Sequence, residues 1–257
     1  MAYIDSITNY SEIYSLIRNN LSIVREDISE ICRACSRDAS EVNLIGVCKV
    51  FPVEYAIAAY ECGLLDLGEN KVQEMIPKVE LFEAEAKSAN WHLIGTLQRN
   101  KVKYVVGKTN LIHSVDTLDL AKEIYRLSCK NNLKTRILLQ ANVSGEESKH
   151  GFSPDELKGA IDAINMWNAD AEAGLGLEVA GLMTMAPIEQ YEGQARFVFA
   201  KTKEIYDELS SYVEDKSRWK VLSMGMSQDY KAAIQEGSTH IRIGTAIFGN
   251  RAEYLAK

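Results

Sequence analysis

Short apolar runs rich in β-branched residues recur along the chain from residue 43 onward, at 43–50, 64–68, 91–95, 110–116, 134–143, 177–185, 220–226 and 239–249. Each has strand length and ends at polar or turn-forming residues. Between them, apolar residues return at three- and four-residue spacing, the period of a helix with one buried face. Leu120, Ile124 and Leu127 share such a face. Residues 5–37 read as a long amphipathic helical lead-in with a candidate break at Asn19-Asn20. Ser153-Pro154-Asp155-Glu156 is a helix start, with Ser at the cap, Pro at the first helical position and Glu three residues after the cap. Asp116 to Asp119 is a weaker version of the same signal.

Eight strands joined by helical crossovers predict a parallel sheet. That count favours a closed α/β (β/α)8 TIM barrel over an open doubly wound sheet, and no G-x-G-x-x-G follows the first strand to support the latter. The expected organisation is one domain over 1–257, with lead-in helices over 1–40 and the barrel over 43–250.

Composition narrows the function. Lys plus Arg is 29 against 36 Asp plus Glu, a net charge of −7. That balance argues against a protein that tracks a nucleic-acid backbone, but one pocket for a small anion needs only a few donors. The start has no basic region followed by an apolar one, so no secretory signal is expected, and no apolar run approaches the roughly 20 residues of a membrane helix. Five scattered cysteines fit reduced thiols in a cytoplasmic setting. Cys32 and Cys35 form a C-x-x-C without a second pair or a nearby histidine, and read first as two helix cysteines.

Barrels place their chemistry at the C-terminal ends of the strands. The first strand ends in Val47-Cys48-Lys49, where Ile45, Val47 and Lys49 share a face by alternation. A lysine there either snorkels to solvent or is a desolvated amine suited to a Schiff base. On the last strand His240, Arg242 and Gly244 share a face, and Gly244-Thr245 offers backbone N–H groups and a hydroxyl at its end. Ser227, after the seventh strand, is a cap candidate. Cap and turn alone would explain Ser227 and Gly244-Thr245. Their place after the last two strands favours a phosphate cradle. Lysine plus phosphate cradle suggests pyridoxal 5′-phosphate (PLP). His113 and His150 read as isolated histidines, His240 as barrel filling, Lys149 as a loop charge, and the Met183, Met185, Met224 and Met226 set as packing.

The chain resembles the pyridoxal phosphate homeostasis proteins, single-domain relatives of the alanine racemase N-terminal barrel. The matching stretches are Gly46 to Lys49, Gly68 to Glu74, His92 to Lys101, Ser114 to Asp116, Asn142 to Gly151, Gly181 to Pro187, Ser223 to Ser227 and Arg242 to Gly249, in order over nearly the whole barrel. Two positions depart from the family pattern: Cys48 stands where a hydroxyl residue is frequent, and Arg99 where a small polar one is usual. The resemblance implies that Lys49 holds PLP as an internal aldimine and that Arg242 faces the pyridine nitrogen. It places Ser227, Gly244 and Thr245 on the phosphate, with the amides around Met226 helping, and Asn70 and His92 along the pocket wall.

An arginine stays protonated and disfavours protonation of that nitrogen, which weakens the ring as an electron sink. Racemisation needs acid–base groups on both faces. In the racemases one of them comes from a separate β domain and a partner subunit, and only 15 residues follow Arg242 here. The expectation is a monomeric PLP carrier serving vitamin B6 homeostasis. It would exchange its cofactor with amines or amino acids and supply PLP-dependent apo-enzymes. The alternatives are an amino-acid racemase of the alanine racemase type, and a phosphate-binding barrel enzyme with a Schiff-base lysine and no PLP.

Overall fold

The computed structural model describes residues 10–143, 145, 150–187 and 193–250. Eight parallel strands close into a barrel in chain order: β1 (Asn43–Val47), β2 (Asp66–Glu69), β3 (Asn90–Leu93), β4 (Leu111–Val115), β5 (Lys134–Gln140), β6 (Gly176–Met183), β7 (Val221–Met226) and β8 (His240–Ile243). Closure is by β1 on β8, with Asn43 opposite His240 and Gly46 opposite Ile243. Every predicted run overlaps one of these strands. The helices on the outside are α1 (Tyr10–Ala34), α2 (Val53–Glu61), α3 (Val72–Ala84), α4 (Val102–Val105), α5 (Leu118–Lys130), α6 (Pro154–Ala169), α7 (Gln194–Leu209), α8 (Tyr230–Gln235) and α9 (Thr245–Phe248).

Among the described residues the lead-in is one unbroken helix from Tyr10 to Ala34. Asn20 does not interrupt α1, because its side-chain amide donates to the Ile247 carbonyl at 2.9 Å. Ile17, Leu21, Val24, Ile28 and Cys32 bury the stripe between α1 and the barrel's outer helices. At its far end Arg37 donates to the carbonyls of Ile234 and Ser238, which ties the lead-in across the β1–β8 closure. The start of α6 is as read: Glu156 accepts from the Ser153 backbone at 2.8 Å. The start of α5 is displaced by one residue, since Thr117, not Asp116, is the cap, its hydroxyl accepting from Leu120 N–H.

Two glycines shape the mouth of the barrel. The β7–β8 register shifts between Ser223 and Met226, and Gly225 in that stretch has φ +97°; a Cβ there would meet Ala233 at 2.6 Å. This bulge turns Met226 and Ser227 toward the barrel axis. Gly95, after β3, lets the chain pass the Asn70 backbone, where a Cβ would lie 2.4 Å from the Asn70 carbonyl oxygen. Among the described residues no helix is long and apolar enough to cross a membrane.

Candidate cofactor-binding site

A cavity of about 660 Å³ opens at the C-terminal ends of the strands. It is lined by Lys49 from the β1 loop, Asn70 just past β2, Met226 and Ser227 at the end of β7, Arg242 in β8, and Gly244 and Thr245 beyond it. Seven of the eight residues singled out in the sequence therefore share one pocket. The eighth, His92, does not line it. β3 ends at Leu93, so His92 is a mid-strand residue pointing into the barrel below the cavity, 1% exposed.

The phosphate-cradle candidates are already in contact. Gly244 N–H donates to Ser227 Oγ at 3.3 Å. A hydroxyl that accepts in this way still has its own hydrogen to donate. The Met226 amide is engaged differently: it donates to Asp229 Oδ1 at 2.5 Å. Asp229 thus puts a carboxylate on the cavity wall, which sequence reading missed. His150 was also missed. It lines the cavity, its ring 3.6 Å from the Asp116 carboxylate. Its position after β5, on the active side of a barrel, was the available signal. Met185 joins Met226 on the cavity wall, whereas Met183 and Met224 are buried in packing. Lys149 lies outside the described residues.

Arg242 is 4% exposed. One terminal nitrogen donates to Ser223 Oγ at 2.6 Å and the other to the Thr184 carbonyl at 3.0 Å. Burial pushes its guanidinium down to about 10, still charged at neutral pH. These bonds belong to a chain that runs down the barrel interior. Ser223 Oγ lies 2.9 Å from His113 Nδ1, His113 Nε2 lies 2.9 Å from His92 Nδ1, and His92 Nε2 lies 2.9 Å from Asp66 Oδ1.

With each imidazole carrying one proton, a single donor order satisfies every pair. Arg242 donates to Ser223, Ser223 to His113, His113 to His92, and His92 to the Asp66 carboxylate. Burial, reinforced by the nearby His92 and Arg242, holds His113 well below the usual histidine range. Burial is the largest influence on the Asp66 carboxyl and would raise it, but the His92 side chain together with bonds from Asn43 and Asn90 outweighs it, and the group lies below its ordinary value. His113, read in the sequence as an isolated histidine, and His92, expected there on the pocket wall, are therefore the middle of a chain that orients Arg242. Their partners come from four different strands, so no local spacing connects them.

Chemically, the cavity sets one amine against a fixed guanidinium, with two hydroxyls and a glycine N–H at one end. That arrangement suits an anionic, ring-shaped ligand bearing a carbonyl that an amine can capture.

Comparison with known proteins agrees with the geometry. Residues 20–252 match the family model described as alanine racemase, N-terminal domain. The pyridoxal phosphate homeostasis protein of Aquifex aeolicus is 40% identical over 232 residues, spanning 90% of this chain and 96% of the relative. The structure of PipY of Synechococcus elongatus, solved with PLP bound, superposes with a TM-score of 0.75 at 30% identity, over 91% of this chain and all of that one. An alanine racemase of Clostridium difficile shares the fold at 15% identity and a TM-score of 0.68, over 92% of this chain and 60% of its own. The chain belongs to the alanine racemase N-terminal domain family and, within it, to the pyridoxal phosphate homeostasis proteins.

Proposed function

We propose that this protein binds pyridoxal 5′-phosphate at the barrel mouth, holds it on Lys49 as an aldimine, and serves intracellular PLP homeostasis without robust catalysis. The observation that carries the reading is the convergence of Lys49, Arg242, Ser227, Gly244 and Thr245 on one cavity. The residues fit the group. Gly244 leaves a concavity that a Cβ would fill, at 3.3 Å from the Val47 carbonyl oxygen. Its N–H pre-sets Ser227 to donate outward. When bound, PLP supplies an aldehyde that condenses reversibly with amines.

The chain's own residues then have separate tasks. Ser227 and Thr245 grip the phosphate, with the Gly244 N–H holding the Ser227 hydroxyl in place. Asn70 lines the wall, and Arg242 donates toward the ring nitrogen. Asp229, a like charge beside the phosphate, holds the Met226 amide and limits how tightly the anion is gripped. Moderate grip suits a carrier. Release follows when an incoming amine, of an amino acid or an apo-enzyme lysine, forms the new imine and Lys49 leaves as the free amine. The names of the relatives support the homeostasis role, and those relatives are matched over nearly their full length. We further propose that the protein works as a cytoplasmic monomer, a single barrel unit with its lead-in. Arg242 disfavours deep carbanion chemistry such as transamination, since its bonds to Ser223 and Thr184 fix a cation where a strong electron sink would need a carboxylate. It does not separate a carrier from a racemase.

The test is a near-visible absorbance spectrum of PLP-loaded protein before and after borohydride, beside Lys49→Ala. A signal fixed in the parent and absent from the variant is expected; a covalently fixed signal in Lys49→Ala overturns the assignment. Exchange of amino-acid α-protons in heavy water at roughly 1 per second or faster would instead favour a racemase.

A further inference from the structure

Lys49 itself lies in the turn after β1, and the backbone on either side of it is held from outside the barrel. On one side, Lys78 Nζ donates to the Cys48 carbonyl at 3.0 Å. On the other, Glu74 Oε2 accepts from the Val50 N–H at 3.0 Å. Glu74 and Lys78 are four residues apart on α3, so one helix face grips the peptide units flanking a single lysine. Val50 has φ +75°, a left-handed conformation that a β-branched residue avoids. Strain of this kind persists only where the surroundings enforce it, and it concentrates at functional sites. Two bonds hold this turn: Phe51 N–H donates to the Cys48 carbonyl at 3.3 Å, and Glu74 accepts from Val50 N–H from outside it.

The anchoring is firm. Lys78 is 6% exposed and also donates to Glu69 Oε1 at 2.5 Å, an oxygen that accepts in addition from the Cys48 thiol at 3.4 Å. Lys71 reaches the other Glu74 oxygen at 3.2 Å. The Gly68 to Glu74 stretch, quoted in the sequence as part of a family pattern, thus carries a clamp for residue 49 as well as a wall for the cavity.

We infer that Glu74 and Lys78 are positioning residues for Lys49, gripping the backbone on both sides of it so that its amine is aimed into the cavity. Without Glu74, Val50 relaxes toward negative φ and the Lys49–Val50 peptide plane turns with it. The clamp then sets how fast the amine captures a carbonyl and how readily it is displaced. Glu74 acts through the backbone and touches no ligand. The inference rests on Lys49 being the PLP lysine, and Lys49→Ala tests that reading by itself.

Removing one partner of the buried Lys78–Glu69 pair endangers folding, so the experiment uses Glu74, whose side chain is 30% exposed. Amide hydrogen exchange at Val50 is measured in PLP-free protein, and the rate of PLP uptake at Lys49 is followed by borohydride fixation. Glu74→Ala is expected to expose the Val50 amide and to slow uptake about tenfold, the factor for roughly 1.4 kcal/mol of released strain. Glu74→Gln keeps an acceptor oxygen and should behave like the parent. Val50→Gly combined with Glu74→Ala should recover much of the rate, because glycine holds positive φ unaided. Uptake at the parental rate in Glu74→Ala overturns the inference, as does equal slowing in Glu74→Ala and Glu74→Gln. Fixation that persists in Lys49→Ala would overturn the Lys49 assignment instead, whatever the Glu74 variants do.

Discussion

Arg242 carries a buried charge whose terminal nitrogens are committed to a serine hydroxyl and a backbone carbonyl. A buried cation is costly unless its hydrogen bonds are complete, so Ser223 matters as much to the barrel as to any ligand. Ser223→Ala strips a partner from both Arg242 and His113. The expected cost is about 3 kcal/mol of stability, two buried groups left unsatisfied at once. Urea unfolding measures it, and a loss near zero would mean the chain is not a connected unit. At this scale the sequence was legible where a residue's place along one strand decided whether it reaches the cavity. Lys49, Arg242 and Gly244 stand at strand ends on the inward face, and alternation finds such positions. It does not find the chain from Asp66 through His92 and His113 to Ser223, whose members are neighbours only once the sheet closes. His92 was misplaced for that reason, and Asp229 was invisible because its role depends on where the β7 bulge turns the Met226 amide.

All eight strands were readable because a barrel strand, covered on both faces, needs a continuous apolar run and little else. Their ends were not. The first run reads to Val50, yet β1 stops at Val47, since α3 takes up the Cys48 carbonyl and the Val50 amide that would have extended the ladder. Asn20 looked like a helix breaker by composition and is held inside α1 by a tertiary bond to Ile247. The cap of α5 shows the same limit on a smaller scale: Asp116 and Thr117 are both capable, and the turn of the chain selects Thr117. Thr117→Ala should therefore destabilise the protein by about 1 kcal/mol, the usual loss for an N-cap hydroxyl. Thermal unfolding of that variant gives the answer, and an unchanged midpoint would remove Thr117 from the cap.

The whole molecule is acidic, at a net charge of −7, around an interior that holds neutral histidines beside one arginine. Burial keeps His113 well below its ordinary range and pushes His240 down to about 4. His92, Arg136 and Arg242 face both of them and act in the same direction, while Asp66 opposes for His240. The unfolded chain therefore binds protons that the folded barrel refuses. Stability is full above about pH 6.5 and falls below it, by up to about 1.4 kcal/mol per pH unit for each histidine, down to about pH 4 for His240. Asp66, lowered by its His92 bond, adds a loss only at more acidic pH, as its carboxylate is protonated. Urea midpoints at about pH 7 and about pH 5 should differ measurably, and equal midpoints would contradict the neutral interior. The central claim, that this barrel's ligand is carried by the lysine at the end of β1, is tested most directly by where the label falls. PLP-loaded protein is reduced with borohydride, digested, and mapped by mass spectrometry. The account predicts the reduced pyridoxyl group on Lys49; the same group on another lysine, with Lys49 unmodified, would contradict it.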